Sequence, residues 1–211
     1  MHKYFIKVPW IITKIFPDYI WSIPTSEKII YLTFDDGPHP EITPWVLEQL
    51  NKYNALASFF CIGSHVKQYP NVYDEILNSG HATGNHTQHH LNGWKTATDE
   101  YLKDISQASH FIQSNLFRPP YGKIKMKQAK GIANALGVTK GKIIMWDVLN
   151  GDFDLSVSEE GCLSNVLKNV LPGSVVVFHD SEKAFRNLKQ VLPTVLETLQ
   201  KQGYMFDKIR L

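Results

Sequence analysis

The sequence predicts an α/β fold in which parallel strands are joined by helices. Three observations carry that prediction. From Lys28 onward, short apolar runs alternate with stretches whose apolar residues recur at helical spacing. No sequence repeat, low-complexity linker or long charge run divides the 211 residues, so they read as a single domain over 28–211 behind an N-terminal segment, 1–27. In each unit the chemically active residue types stand where a strand runs out, which is where barrels and open parallel sheets build their sites.

Ile29 to Phe34 is the first apolar run and predicts a strand. Val46, Leu47, Leu50 and Tyr53 share one face of a helix over Pro44 to Tyr53, and Ala57 to Ile62 reads as the next strand. Tyr101, Leu102, Ile105, Ala108, Ile112 and Leu116 form a helical stripe between Thr98 and Leu116. Arg118 should then lie on a short strand, because Pro119 and Pro120 forbid a continued helix. Ile143 to Trp146 predicts a strand, and Ser156 with Glu159 predicts a capping box opening a helix through Asn169. Ser174 to Phe178 reads as a fully buried strand. A final helix carries Leu188, Val191, Leu192, Val195, Leu196 and Leu199 and ends before Gly203, with Pro193 either kinking it or marking its start. Met205 to Ile209 is the last predicted strand.

Composition narrows the function. A hydrophobic content of 43% and a charged content of 20% are those of a soluble globule, and a net charge of +2 argues against nucleic acid as a partner. A chain this long needs no disulfide to hold its core, so Cys61 and Cys162 are read as free thiols, Cys61 being a small buried residue at a strand end. Tyr4 to Trp21 is apolar and basic, but Lys7, Pro9, Lys14 and Pro17 break the run, so it is too interrupted to span a bilayer. No small-residue cleavage site follows, which favours a cytoplasmic or membrane-surface location over secretion. Trp10, Ile11, Ile15, Phe16 and Trp21 are expected to cover the open end of a barrel; peripheral membrane contact through residues 1–24 is the alternative.

The most informative feature is Thr33-Phe34-Asp35-Asp36-Gly37, two adjacent carboxylates at a strand end. Taken alone they fit an acidic turn equally well. His86 and His90, four residues apart, can converge on one ion, and a carboxylate from another strand end, Asp36 being the candidate, would complete a two-histidine, one-carboxylate set with open positions. A carboxylate engaged on a metal is a poor base, which leaves its neighbour Asp35 free to take a proton from water. His179, directly after the Val175 to Phe178 run, is placed to act as an acid, and Asp152 can hold it charged. Arg118 is expected to orient Asp35 through a forked hydrogen bond.

With these motifs in their order, the chain resembles the polysaccharide deacetylases of carbohydrate esterase family 4, the group sharing the NodB homology domain. The resemblance rests on Thr33-Phe34-Asp35-Asp36-Gly37, His86-Thr87-Gln88-His89-His90, Arg118-Pro119-Pro120-Tyr121, Asp152 and Val177-Phe178-His179, and covers about Lys28 to Leu211. It implies a distorted, incomplete (β/α) barrel of about seven parallel strands, similar to a TIM barrel. It also implies a divalent metal on Asp36, His86 and His90, zinc foremost with cobalt or nickel as alternatives. On that resemblance Asp35 is the base, His179 the acid, Arg118 and Asp152 their partners, and the backbone N–H of Tyr121 holds the oxyanion. Pro120, Tyr121, Phe153 and Val177 would border the substrate, an N-acetylated amino sugar of a peptidoglycan- or chitin-like glycan. The family's fourth motif commonly reads Asp-x-x-Asp-Trp, whereas Leu149 to Phe153 keeps only the second acid and replaces the tryptophan. Val177 stands where leucine is common. Two other functions are weighed: deformylation or deacetylation of a lipid-linked sugar, suggested by the N-terminus, and a catalytically silent glycan-binding module, suggested by the altered fourth motif.

The remaining histidines are expected to be structural. His39 reads as a rim residue, His81 as a strand-end stabiliser and His65 and His110 as helix residues with no partner in sequence, while His89 should point away from His90. Trp94 reads as either a sugar platform or a packing residue.

Overall fold

The computed structural model describes residues 4–211. A short helix α1 (Trp10–Ile15) precedes strand β1 (Ile29–Asp35), followed by α2 (Ile42–Lys52), β2 (Ala57–Cys61), α3 (Gly63–Gln68), α4 (Pro70–Asn78) and β3 (Ala82–Asn85). Next come α5 (Thr98–Ala108), β4 (Leu116–Phe117), a 3-10 turn at Pro120–Gly122, α6 (Met126–Leu136), β5 (Lys142–Ile143) and β6 (Val148–Leu149). The chain closes with α7 (Glu159–Leu167), β7 (Val175–His179), α8 (Glu182–Lys201) and β8 (Met205–Phe206). Seven strands run in the order β5-β4-β3-β2-β1-β7-β6, β8 pairs with the start of β1, and every one of these pairings is parallel. The fold is therefore the incomplete, curled (β/α) barrel that the motifs implied.

Alternation along the strands divides the side chains into two layers. Leu32 and Phe34 of β1, Phe59 of β2 and Phe178 of β7 face outward and pack with α2, α7 and α8 in one large core. Phe34 stacks between Phe59 and Phe178, with ring centroids 5.0 and 5.7 Å away. On the inner face, Tyr31, Phe60, Leu116, Ile144, Val175 and Ile209 fill the lower barrel. Above them the same alternation points Thr33, Asp35, Val177 and His179 toward the mouth.

Several elements end where side chains take over the hydrogen bonding. Helix α5 stops at Ala108, not Leu116; near its end the Ile105 carbonyl accepts from Asn85 Nδ2 and Ser109 Oγ as well as from the Ser109 N–H. Ile112 and Leu116 are still buried, but from the chain beyond, and His110 lies in the turn. β4 ends at Phe117, one residue before Arg118. β5 ends at Ile143 because the Ile144 and Met145 carbonyls accept from the Arg118 guanidinium. Ser158, not Ser156, caps α7, accepting from the Gly161 N–H, since Ser156 is held in a turn by Asp154. That helix ends at Leu167. α8 begins at Glu182 and carries Pro193 in its interior. The last strand is only two residues long, because the Ile209 N–H bonds the Ser58 hydroxyl instead of a neighbouring strand.

β5 and β6 are the two ends of the strand order, and the segment before β1 lies across the gap between them. Ile20 pairs with Ile144, with the Met145 N–H on the Ile20 carbonyl at 2.7 Å, while Lys7 pairs with Val148, and the Leu149 N–H bonds the Ile6 carbonyl at 2.8 Å. Lys7 Nζ reaches Asp147 at 2.6 Å. α1 leaves Trp10, Ile11 and Ile15 exposed. Among the described residues no helix is long and apolar enough to cross a membrane.

Gly84 of β3 tests the inner layer. A Cβ there would sit 2.5 Å from the Phe60 ring, on which the Arg118 guanidinium rests 4.0 Å from the centroid. Gly84→Ala is expected to destabilise the fold by about 1–3 kcal/mol in chemical denaturation.

Candidate active site

The two acids diverge because the backbone turns between them. Asp35 is still in β1, where its carboxylate points inward, whereas Asp36 takes a left-handed conformation, φ 81°, that swings its side chain toward the histidine loop. Four of the five described non-glycine residues with positive φ, namely Asp36, Thr87, His90 and Tyr121, belong to this site. Such conformations persist only where surrounding bonds impose them. His65, which has no partner near it in sequence, supplies one of those bonds across 29 residues, donating from Nδ1 to the Asp36 carbonyl at 2.8 Å. Asp180 supplies others, accepting from the Gly37 N–H at 3.1 Å and from the Thr43 hydroxyl. Burial raises the Asp180 carboxyl to about 8.

The loop after β3 carries His86 and His90. Asn85 accepts from the Thr87 N–H, and the buried Asp104 of α5 accepts from the Gln88 and His89 N–H groups and from His89 Nδ1 at 2.6 Å. His89 accordingly points away from His90. His86 donates from Nδ1 to the Arg118 carbonyl at 2.7 Å, which leaves the Nε2 lone pair facing Asp36 Oδ1 at 3.8 Å; His90 Nε2 lies 3.2 Å from the same oxygen. Burial is the main reason the His86 imidazole falls to about 4, so it is neutral at neutral pH. Burial would raise Asp36, but the hydrogen bond from His90 and the neighbouring imidazoles outweigh it and hold the carboxyl well below the usual range.

One ligand atom from each of Asp36, His86 and His90 lies within 4.8 Å of the others. A lone pair aimed at a carboxylate inside a mostly buried pocket is unfavourable unless a cation lies between them. Two imidazoles and one carboxylate are donors that could hold a metal ion, and the bond from His86 to a backbone carbonyl is the outer support such ligands use.

Arg118 is fully buried. One nitrogen, Nη1, donates to Asp35 Oδ1 and to Thr33 Oγ1, each at 2.7 Å, while Nε and Nη2 donate to the Ile144 and Met145 carbonyls. The expected fork on Asp35 is thus a single hydrogen bond, because the backbone claims the rest of the guanidinium. On the other side, His179 Nδ1 meets Asp152 Oδ1 at 2.7 Å, and the His179 N–H bonds Asp152 Oδ2. Burial opposes charge on His179, but Asp152, with Asp36 and Asp35 beyond, raises it to about 9.

Of the expected border residues, Tyr121 is exposed and its ring packs on His90 at 4.6 Å. Phe153 packs edge-on against His179 at 5.0 Å. Pro120 is buried in the 3-10 turn, and Val177 is 1% exposed, one inward position below His179. His39 is more than a rim residue, since its Nδ1 accepts from the Glu41 and Ile42 N–H groups at the start of α2. His81 Nδ1 accepts from the Ala57 N–H at a strand end, as expected. Sequence reading missed Asp104, His65 and Asp180. Only Asp104 left a trace, as an acid within the apolar stripe Tyr101, Ile105, Ala108.

Comparison with known proteins gives the family. The polysaccharide deacetylase family model matches residues 22–141. A peptidoglycan-N-acetylglucosamine deacetylase of Bacillus cereus is 35% identical over 192 residues, covering 88% of this chain and 88% of that protein. A chitooligosaccharide deacetylase of Azorhizobium caulinodans is 36% identical over 165 residues, 75% of this chain and 76% of that protein. Among solved structures, a peptidoglycan N-acetylglucosamine deacetylase in complex with 4-naphthalen-1-yl-N-oxidanyl-benzamide superposes with a TM-score of 0.85 at 30% identity, covering 96% of this chain and 95% of that one. The chain belongs to the polysaccharide deacetylase family.

Two outcomes follow from the supporting residues. In an NMR titration His179 is expected to lose its proton near pH 9, and in Asp152→Asn the midpoint should move down, since the largest raising contribution is removed. Because the folded value lies above the unfolded 6.5, the stabilisation from this pairing is complete below about pH 6.5 and lost as pH rises through about 9. His65→Ala, which frees the Asp36 carbonyl, should weaken divalent cation binding by about 10–100-fold in chelator competition.

Proposed function

We propose that this protein hydrolyses the N-acetyl amide of amino-sugar residues in a peptidoglycan- or chitin-like glycan. The observation that carries the reading is the convergence of Asp36, His86 and His90 ligand atoms with Asp35 and His179 beside them. The named relatives support the substrate class. A divalent cation held by Asp36, His86 and His90 would supply Lewis acidity, polarising the acetyl carbonyl and making water more acidic.

The chain's own groups supply the rest. Asp35 takes the proton of the attacking water, and its hydrogen bond to Arg118 fixes the carboxylate while engaging only Oδ1. The water oxygen bonds to the carbonyl carbon, and negative charge gathers on the carbonyl oxygen. The Tyr121 N–H, which has no acceptor among the described residues, donates to that oxygen. Such a donor contributes roughly 3–4 kcal/mol. His179, held charged by Asp152, gives its Nε2 proton to the nitrogen as the C–N bond breaks, releasing acetate and a free amine.

Acetate release measured across peptidoglycan, chitin oligomers and acetylated xylan tests the reading. Activity is expected on the first two. Asp35→Asn should lower kcat by about 10²–10⁴-fold with bound metal retained, whereas His86→Ala should lose stoichiometric metal in elemental analysis. Sugar binding without acetate release, unaltered by Asp35→Asn, would overturn the enzymatic reading.

A further inference from the structure

A groove of about 360 Å³ leaves the candidate site along the N-terminal segment. Val8, Ile12 and Phe16 of that segment line it together with Ile124, Met145 and Trp146. Tyr121 belongs to both sites, since its ring packs on His90 and also lines the groove. Gly122 lets the loop lie directly on the Trp146 ring, since a Cβ there would be 2.7 Å from it. The N-terminal segment is held by backbone hydrogen bonds to both free edges of the sheet, Val8 N–H to the Asp147 carbonyl and Ile20 N–H to the Ile143 carbonyl, so the groove exists before any ligand arrives.

Its chemistry is selective. Among the described residues, no carboxylate, amide, serine or threonine side chain lines it, and Lys123 is the one charged residue, seated over the Trp94 ring. Of the lining aromatics, the polar tips of Tyr4, Trp21 and Trp94 are bonded to Asp154, the Phe16 carbonyl and the Ile124 carbonyl, and Tyr19 meets the Met126 sulfur, which leaves the Tyr121 hydroxyl and Trp146 Nε1 open among the described residues. A further sugar would bring several hydroxyl groups to walls with few free partners, at a desolvation cost for each one left unpaired. A hydrocarbon chain needs none. The volume also falls in the range of small-molecule sites, about 300–1,000 Å³.

We infer that this groove binds a hydrocarbon chain attached to the amino sugar, so that the substrate is amphiphilic, with its polar amide at Asp35 and its apolar tail along the N-terminal segment. The inference rests on the deacetylase reading above and narrows its substrate class. KM for acetate release from methyl, butyl and hexyl glycosides of N-acetylglucosamine, kept below their aggregation limits, should fall by roughly two- to fourfold for each CH2 that enters the groove. Ile12→Asp and Phe5→Ser should flatten that dependence; Phe5 is exposed, so its replacement leaves the core intact. Hexyl glucoside, which has no amide, should perturb tryptophan fluorescence at concentrations where methyl glucoside does not, a readout independent of turnover.

The two readings fail separately. If no glycoside releases acetate but hexyl glucoside still binds and Ile12→Asp abolishes binding, the groove stands and the deacetylase reading falls. If KM is indifferent to alkyl length, or falls with added sugars instead, the groove is not a hydrocarbon site. The inference is equally overturned if the two variants alter only adsorption to phospholipid vesicles.

Discussion

The buried Arg118 guanidinium is the interaction on which the rest of the site depends. A charge with no solvent exposure is tolerable only when its donors are satisfied and an opposite charge is in contact. Arg118 meets that demand with Asp35, the Thr33 hydroxyl, two carbonyls beyond β5 and the face of Phe60. In doing so it joins β1, β4 and the end of β5. It also ends β5, since carbonyls given to the guanidinium cannot continue a ladder. Through its own carbonyl it sets the tautomer of His86 and thereby aims the Nε2 lone pair at Asp36. One residue thus positions both the candidate base and a candidate ligand.

Around that arginine the two acids and two of the histidines are separated into unlike environments. Asp36 is charged among imidazoles, and His86 is neutral because it is buried. His179, also shielded from water, is charged because Asp152 makes two contacts with it. The same residue type therefore serves as a lone-pair donor in one place and a proton donor in another, a few ångströms of carboxylate placement making the difference. The left-handed residues Asp36, Thr87, His90 and Tyr121 show that this placement is held against local backbone preference.

Much of this was legible in the chain. Apolar alternation located β1, β2 and β7 almost to the residue, because each is buried on both faces and reads as an unbroken apolar run. Boundaries failed where a side chain took up a backbone group: Arg118 at the end of β5 and Ser158 in place of Ser156 at α7. His65 was unreadable because its partner is the carbonyl of a residue 29 positions earlier, and a carbonyl leaves no mark in a sequence. Asp104 was half-readable as an acid on an apolar stripe.

The order and identity of five motifs determined the family, the strand-end placement of the reactive side chains and the donor types that could gather at one site, because local pattern and residue chemistry are written directly in the chain. Tertiary structure decided the rest. It bent the backbone so that Asp35 and Asp36 face different partners, gave Asp35 one arginine hydrogen bond instead of two, and laid an apolar N-terminal segment across the gap between β5 and β6 to make a groove beside the site. Each of these depends on which distant groups compete for the same hydrogen bonds and the same buried surface, and that competition exists only once the chain is folded.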